Sequence, residues 1–179
     1  LGAFLALLNT TVVSVSLSSL AKEFGSTLEQ IQWATSAYLL AIAMVLPLTG
    51  WLVQRMGIRR LYVSCFVAFL LTSLLCGFAE STRWLVLFRV LQGLSAGMLA
   101  PLAQLTMARS AGKQLARVSG YAAGTIVLAP LLGPLVASAI LAQASWHWLF
   151  WMNVPITFVA ILMAWYFLPV EGKRISPAP

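Results

Sequence analysis

The sequence predicts an all-α integral membrane protein built as a bundle of six transmembrane helices. Of its 179 residues, 61% are hydrophobic and only 8% are charged, whereas soluble domains carry roughly 25% charged residues. The chain also contains long uncharged segments, and a helix of about 20 apolar residues crosses the hydrocarbon core of a bilayer. These segments are too long and too uniformly apolar for barrel strands, so helices are the structure that satisfies their backbone in lipid.

The charged residues mark where each crossing ends. Three segments of 19 residues or more carry no charge, and a fourth carries only Arg89. Residues 118–170 contain no charged residue either; they are long enough for two crossings and are divided by a polar, aromatic stretch at 143–147. The six predicted spans are residues 1–20, 31–53, 61–79, 84–107, 117–142 and 148–168.

The net charge of +7 is unevenly distributed between the two ends of the predicted bundle. Eight of the eleven Lys and Arg residues lie on one side, and the positive-inside rule makes that side cytoplasmic, together with the N-terminus and the C-terminal tail. The charge is therefore interpreted as a topology signal, and no nucleic-acid partner is expected. The basic side holds Arg55, Arg59, Arg60, Arg109, Lys113, Arg117, Lys173 and Arg174.

Spans two and five resemble each other at a constant offset of 83 residues. Chance matching of apolar helices is the alternative, but the coincident Tyr, Pro and Gly favour a true repeat. An offset of three spans reverses the direction of each helix, so the pattern predicts two inverted three-helix repeats. The matched pairs of spans two and five are Tyr38 with Tyr121, Pro47 with Pro130, and Gly50 with Gly133. The same offset matches Asn9 of span one with Gln92 of span four.

The loop after span two has the sequence GWLVQRMGIRR at residues 50–60. It resembles the signature loop G-x-L-a-D-r-x-G-r-k of the major facilitator superfamily, whose helices form such inverted repeats. The resemblance implies a cytoplasmic latch between two halves of a transporter. Gln54 replaces the usual Asp, and its amide supplies no negative charge, so a weakened latch is expected; a purely topogenic basic loop is the alternative. The expected latch residues are Gly50, Gln54, Arg55, Gly57, Arg59 and Arg60, with Gly50 allowing close helix contact and Gly57 a tight turn.

Span four contains Arg89 and Gln92 in an arrangement that resembles the R-x-x-Q-G motif of the same superfamily. The resemblance implies a role for Arg89 in proton transfer beside the substrate cavity. A charged residue within a span is costly and usually functional. Arg89 lies about 7 Å inside the outer boundary, so a side chain that snorkels to the interface is the alternative. Two Gly-xxx-Gly patterns predict close helix contacts: Gly93 with Gly97, and Gly120 with Gly124.

Span five contains APLLGP at residues 129–134, which resembles the antiporter motif G-P-x-x-G-G or its G-P-x-x-G-P variant. Two prolines four residues apart disrupt regular helical bonding, so a bent helix lining the interface between two halves is expected. The candidate residues are Pro130, Gly133 and Pro134. The sequence departs from the motif at Ala129 and lacks the Gly pair that follows, which weakens the inference of antiport. A simple packing kink is the alternative.

Spans one and six carry the most family-specific segments. Residues 8–14, LNTTVVS, resemble the L-D-x-T-I-V-N segment of the fourteen-helix drug:proton antiporters, and residues 146–156, WHWLFWMNVPI, resemble their W-R/H-W-x-F-x-x-N-x-P-I stretch. Asn9 replaces the Asp, and an amide does not titrate. No Asp or Glu lies in any predicted span, so no proton-coupling carboxylate is expected there. Asn9 and Gln92 are candidates for hydrogen bonds to substrate, with interhelical polar contact as the alternative.

These resemblances together imply that residues 1–168 are the N-terminal six-helix half of a major-facilitator transporter. Residues 169–179 are expected to be a cytoplasmic linker toward a missing C-terminal half. The implied function is multidrug efflux of hydrophobic or cationic compounds by proton antiport, with alternating access around a midplane site. The expected partners are a small-molecule substrate, protons, the lipid bilayer of the bacterial inner membrane and the missing half. Neither a cofactor nor a metal is expected.

Two other functional classes compete with transport. A transport-inactive relative, acting as a structural or sensing membrane subunit, is suggested by the amides at Asn9 and Gln54. An intramembrane enzyme is disfavoured, because the spans contain no His, no carboxylate that could act as a base and no cluster of metal ligands. The expectation is therefore a transporter and not an enzyme.

Overall fold

The computed structural model describes residues 2–110 and 115–168, whose ordered elements are all helices. The linker expected at residues 169–179 and the basic residue Lys113 lie outside this range, and the side chains of Arg109, Arg117 and Tyr121 are not described. The helices are α1 (Gly2–Val15), α2 (Leu17–Glu23), α3 (Leu28–Met56), α4 (Ile58–Gly77), α5 (Thr82–Ser110), α6 (Leu115–Gln143), α7 (Trp148–Trp151) and α8 (Asn153–Phe167).

The helices follow the six predicted spans in order, and the all-α membrane fold is confirmed. Helices α3, α4 and α5 and the segment Trp148–Tyr166 are each long and apolar enough to cross a membrane. The bent pair α1 and α2 passes the same test of length and composition when the two helices are taken together as one broken span. Helix α6 corresponds to span five, and its apolar part within the residues searched is Val127–Gln143.

Local sequence signals set the ends of α3. Thr27 caps its N-terminus by accepting a hydrogen bond from the Gln30 backbone at 3.2 Å, and the Gln30 side chain accepts from the Thr27 backbone at 3.3 Å. This reciprocal capping box satisfies two backbone donors that would otherwise lack partners. At the other end Gly57 adopts a φ of 79°, a conformation that favours glycine. The single residue Gly57 therefore separates α3 from α4.

The first span is broken, where the sequence predicted one continuous helix over residues 1–20. Helices α1 and α2 meet at Ser16 with a bend of 60°. No proline or glycine lies at the break, but four hydroxyl groups donate to the carbonyl four residues earlier, an arrangement that bends helices. These bonds are Thr10 to Ala6 at 2.8 Å, Thr11 to Leu7 at 2.9 Å, Ser14 to Thr10 at 2.8 Å and Ser16 to Val12 at 2.7 Å.

Two closely packed helix pairs reflect the predicted inverted repeats. Helix α3 packs most extensively against α5, and α6 packs most extensively against α1. An added Cβ at Gly93 would lie 2.5 Å from the Tyr38 carbonyl oxygen, and one at Gly133 would lie 2.5 Å from Thr11 Cγ2. Span two therefore packs against span four as span five packs against span one. An offset of three spans matches span two with span five and span one with span four, so a true repeat requires this agreement.

The glycines predicted to make close contacts do not all do so. Gly97 does, because an added Cβ would lie 2.6 Å from Val45 Cγ1. At Gly50, Gly120 and Gly124, however, an added Cβ would meet nothing within 4 Å in the part of the chain that is described. The prediction of close contact was therefore wrong at these three positions within the bundle. A Gly-xxx-Gly spacing does not indicate which face of its helix meets a neighbour.

Two apolar clusters fill the bundle and are separated by a layer of polar residues. One cluster includes Leu20, Leu85 and Phe150, and the other includes Phe66 and Leu102. Buried polar residues occur on α1, α4, α5 and α8. On α4 and α5 they fall between the residues of the two clusters, whereas on α1 Asn9 lies within the first cluster, between Leu8 and Val12. The buried polar residues on these four helices are Asn9, Thr72, Ser73, Arg89, Gln92, Ser95, Asn153 and Thr157.

The first prediction concerns the close contact of α5 with α3. We expect Gly93→Ala to destabilise the full-length protein by about 1–3 kcal/mol, because the new methyl group overpacks a contact with backbone. Thermal unfolding of the purified protein in detergent, followed by tryptophan fluorescence, measures this loss. Gly124→Ala is the matched control, since its Cβ meets open space and alanine favours a helix. Equal losses for the two variants would contradict the close-packing explanation.

Candidate functional site

The polar layer brings together the three residues that the sequence predicted for a substrate or coupling site. Five of the six spans contribute to it, and every member is buried, with at most 1% of its surface exposed. The arrangement depends on the rotation of each contributing helix about its axis. This rotation turns two polar side chains of α5, and one of each other contributing span, toward the inside of the bundle. The members are Asn9 of α1, Tyr38 of α3, Ser73 of α4, Arg89 and Gln92 of α5, and Asn153 of α8.

Gln92 makes three of the hydrogen bonds that connect the layer. Its Oε1 accepts from Arg89 Nη1 at 2.7 Å and from Asn9 Nδ2 at 3.1 Å. Its Nε2 donates to Ser73 Oγ at 2.7 Å. A side-chain amide offers two acceptor positions and two donors, so one residue joins α5 to both α1 and α4.

Asn9 and Gln92 are also the pair that the repeat offset of 83 residues matches. Two residues that are equivalent in the two repeats contact each other only where the axis relating the repeats passes between them. The hydrogen bond between them therefore places this pair at the centre of the inverted arrangement. Asn153 Nδ2 extends the layer by donating to Asn9 Oδ1 at 3.4 Å.

Arg89 is held by three neutral groups. Besides the bond to Gln92, its Nε donates to the Ala34 carbonyl oxygen at 3.3 Å. Its guanidinium carbon lies 3.8 Å from the centroid of the Tyr38 ring, a favourable cation–π geometry. The Tyr38 hydroxyl in turn donates to the Ala6 carbonyl oxygen at 3.1 Å. A snorkelling arginine would extend to the interface, but Arg89 is fully buried, so the structure contradicts that alternative.

Three polar atoms near this layer have no hydrogen-bond partner among the described residues. They are Arg89 Nη2, Asn153 Oδ1 and Thr157 Oγ1. A buried polar atom without a partner loses the energy of its hydration, with the largest loss for a charged group.

The latch loop, residues 50–60, lies at a distance from the polar layer along α3 and α4. Gln54 and Arg60 are exposed, and Arg55 lies 4.3 Å from the centroid of the Trp51 ring. Arg59 Nη2 donates to the Trp165 carbonyl oxygen at 2.6 Å. This contact joins the start of α4 to the end of α8, so one basic residue of the loop is already engaged within the bundle.

The proline-containing part of α6 lies beside α1. Gly133 packs against Thr11, two residues from Asn9, whereas Pro130 and Pro134 are exposed. The helix runs from Leu115 to Gln143 with both prolines inside it, and the expected bend stays a prediction. None of the α6 side chains that the structure describes takes part in the polar layer. The motif therefore contacts α1 near Asn9 through packing and not through hydrogen bonds to the polar layer.

The sequence missed three members of the layer and one contact of the loop. Asn153 stood within a recognised motif, yet nothing in its spacing indicated a hydrogen bond to Asn9. Tyr38 served only to mark the repeat, and Ser73 resembles many helix hydroxyls that bond to their own backbone. Trp165 offers a backbone oxygen to Arg59, and no side-chain pattern predicts that contact.

The fold and the polar layer define a polytopic helical membrane protein with a buried hydrogen-bonded centre. The sequence model of the Major Facilitator Superfamily matches residues 1–179, so the chain belongs to this family. It is 37% identical to the Multidrug resistance protein B homolog of Mycobacterium tuberculosis over 177 residues, which cover 98% of this chain and 33% of that protein. It is 35% identical to the Putative multidrug resistance protein MdtD of Salmonella paratyphi B over 184 residues, which cover 98% and 38%.

A solved structure shares the fold. A bacterial homolog of the human lysosomal transporter Spinster, in an inward-facing and unoccupied conformation, superimposes with a TM-score of 0.69 at 17% identity. The match covers 98% of this chain and 44% of that one. The chain spans about a third of the length of the curated relatives that it matches. The predicted family and the half-domain architecture are confirmed, and the family consists of membrane transporters and not enzymes.

The second prediction tests the contact between Gln92 and Arg89. We expect Gln92→Leu to destabilise the full-length protein by about 3 kcal/mol or more, because it removes one hydrogen bond from a buried cation and one from each of two buried polar side chains. Arg89→Met in the Gln92→Leu background removes the buried charge, so the double variant is expected to recover part of that loss. Chemical denaturation of all four proteins in detergent completes the double-mutant cycle. Simple additivity of the two substitutions would contradict a direct interaction.

Proposed function

We propose that residues 1–168 form the N-terminal half of a secondary active transporter that exports hydrophobic compounds by proton antiport. The names of the two relatives support multidrug export, since both are described as multidrug resistance proteins. The observation that carries the proposal is the buried polar layer in the middle of a major-facilitator bundle. In this family the substrate site lies at the membrane midplane between two such halves, and residues 169–179 would be the linker between them.

The polar layer also supports alternating access by rigid-body motion. Its hydrogen bonds and ring contact join α1, α3, α4, α5 and α8. Breaking them in lipid is costly, because no water replaces the lost partners. A half connected in this way moves as one unit against the other half, which is how such transporters expose a fixed site to either side.

Proton coupling would depend on a carboxylate outside the six spans. The acidic residues of the sequence are Glu23, Glu29, Glu80 and Glu171, and none lies in a predicted span. The amides of Asn9 and Gln92 do not titrate. We propose that the remainder of the full-length protein contributes the titrating group.

The latch loop and the orientation complete the proposal. By the charge distribution, the loop, the N-terminus and the linker would face the cytoplasm of a bacterial inner membrane. The exposed Gln54 and Arg60 would meet the second half there, without the negative charge that strengthens such contacts. The transport-inactive alternative is motivated by the same two amides, Asn9 and Gln54, and transport measurements separate the two functions.

The third prediction tests export directly. We expect the full-length protein in proteoliposomes to move a fluorescent hydrophobic compound when a pH gradient is imposed, and to stop when nigericin abolishes that gradient. The assay records fluorescence in the vesicle lumen, with protein-free vesicles as the control. A transport rate that is the same with and without the pH gradient would refute proton antiport. Absence of movement for a panel of neutral, acidic and cationic compounds would favour the transport-inactive alternative.

The fourth prediction concerns the latch loop. We expect Gln54→Asp to raise the ratio of cytoplasmically closed to open protein about two- to fivefold, because a carboxylate near a helix N-terminus or an arginine stabilises the contact by about 0.3–1 kcal/mol. Distances between spin labels on the two halves report this ratio. Gln54→Asn is the matched control, since it keeps an uncharged amide. An equal shift for both variants would contradict the role of charge.

A further inference from the structure

We infer that a cavity at the end of the bundle opposite the latch loop binds an organic ammonium group. The cavity has a volume of about 330 Å³ and lies where α2 and α4 end and α7 begins. No residue of the polar layer lines it, so it is a second site and goes beyond the proposed function. The residues that give the cavity its chemistry are Glu23, Phe24, Phe78, Glu80, Trp146 and His147.

The charge of the lining favours a cation. Glu23 ends α2 and Glu80 follows α4, so the fold brings together two carboxylates from separate parts of the chain. Both side chains are exposed, and neither has a hydrogen-bond or ion-pair partner among the described residues. The basic residues closest to them in the sequence, Lys22 and Arg83, do not line the cavity. A concave surface lined by charges of one sign attracts ligands of the opposite sign.

Aromatic rings form another part of the lining. The centroids of the Phe24 and Trp146 rings lie 5.0 Å apart, and the His147 ring stacks on the Trp146 ring at 4.0 Å. Phe78 adds a further ring, which is 65% exposed. The negative faces of aromatic rings attract cations, and cages of such rings recognise methylated ammonium groups. Carboxylates and rings around one cavity therefore match an ammonium group that carries carbon substituents.

A metal ion fits this cavity poorly. In the part of the chain that the structure describes, no group of three His, Cys, Asp or Glu residues is placed to hold one. Glu23, Glu80 and His147 therefore do not converge as ligands. Hard metal ions require several oxygen ligands at about 2.0–2.6 Å, and aromatic rings supply none. The volume of about 330 Å³ is instead that of a small-molecule pocket.

Trp146 indicates which second group the ligand carries. Its side chain is only 7% exposed, and its Nε1 is buried without a hydrogen-bond partner among the described residues. A buried donor gains free energy when it meets an acceptor, so a ligand with an oxygen atom near its ammonium group would satisfy the indole as well. Two sources share this chemistry: soluble amino alcohols such as choline, and the ethanolamine headgroups of phospholipids at the membrane surface.

The experiment compares choline with its neutral carbon analogue, 3,3-dimethylbutan-1-ol, which has the same shape and hydroxyl group but no charge. Saturation-transfer difference NMR of the methyl protons measures binding to the full-length protein in dodecyl maltoside micelles, with protein-free micelles as the control. We expect choline to bind roughly tenfold more tightly than the analogue, which is the combined effect of exposed cation–π and ion-pair contacts. Equal affinities, or no binding of choline, would overturn the inference.

Substitutions of exposed carboxylates assign the binding to this cavity. The double variant Glu23→Gln with Glu80→Gln should weaken choline binding about fivefold and leave binding of the neutral analogue unchanged. Glu29→Gln is the matched control, since Glu29 is exposed at the same end of the bundle but does not line the cavity. Exposed substitutions of this kind change stability little. An unchanged affinity in the double variant, or an equal loss in Glu29→Gln, would overturn the assignment.

Two lipids distinguish the sources of the ammonium group. Phosphatidylethanolamine carries this group in its headgroup, whereas phosphatidylglycerol does not. If only phosphatidylethanolamine displaces choline from the protein in mixed micelles, the lipid headgroup occupies the site; if neither lipid does, the site takes soluble compounds. Equal displacement by phosphatidylglycerol would overturn the inference, because the ammonium group would then not be what the cavity recognises. No pH gradient is imposed, so failure here leaves the proposed transport function untouched.

Discussion

The hydrogen bonds of Gln92 are the interaction on which the rest of the structure depends. In a bilayer every buried polar group needs a partner within the protein, because lipid offers none. One amide meets this requirement for Arg89, Asn9 and Ser73 together. The bonds fix the rotation and the vertical register of α5 against α1 and α4. The two apolar clusters pack between helices whose relative positions these hydrogen bonds help to fix.

Small residues next to the polar groups make these bonds possible. Gly93 follows Gln92 directly and lets α5 touch the Tyr38 backbone. The same close approach places Arg89 over the Tyr38 ring at 3.8 Å. On the equivalent side of the inverted repeat, Gly133 brings α6 against Thr11, near Asn9. Packing and hydrogen bonding therefore support each other around a buried polar centre that includes the positively charged Arg89.

The charge of that centre connects the fold to the proposed transport. Asn9 and Gln92 occupy the middle of the inverted repeats and do not titrate, whereas Arg89 stays charged and fully buried. Arg89 therefore places a positive charge inside this half, where its bonds to the Gln92 amide and to the Ala34 carbonyl hold it.

Much of the fold followed from the sequence, because hydropathy and charge decide which segments a bilayer accepts. The spans were predicted in this way, whereas the family and the polar residues Asn9, Arg89 and Gln92 were predicted from motifs that resemble those of the superfamily. The bend of 60° at Ser16 was missed, since it arises from hydroxyl groups bonding to their own backbone. The close contacts predicted at Gly50 and Gly124 are not made within the described part of this bundle, because glycine spacing does not reveal which helix faces lie together.

The sequence by itself predicted which segments cross the membrane and which polar residues enter it, because both depend on the transfer of side chains from water to lipid. Only the tertiary structure decided that Asn9 meets Gln92, that Arg89 is enclosed by Tyr38 instead of reaching the interface, and that Asn153 joins them. These contacts depend on the rotation and close approach of five helices. Such geometry results from packing between distant segments, which the order of residues along any one helix does not specify.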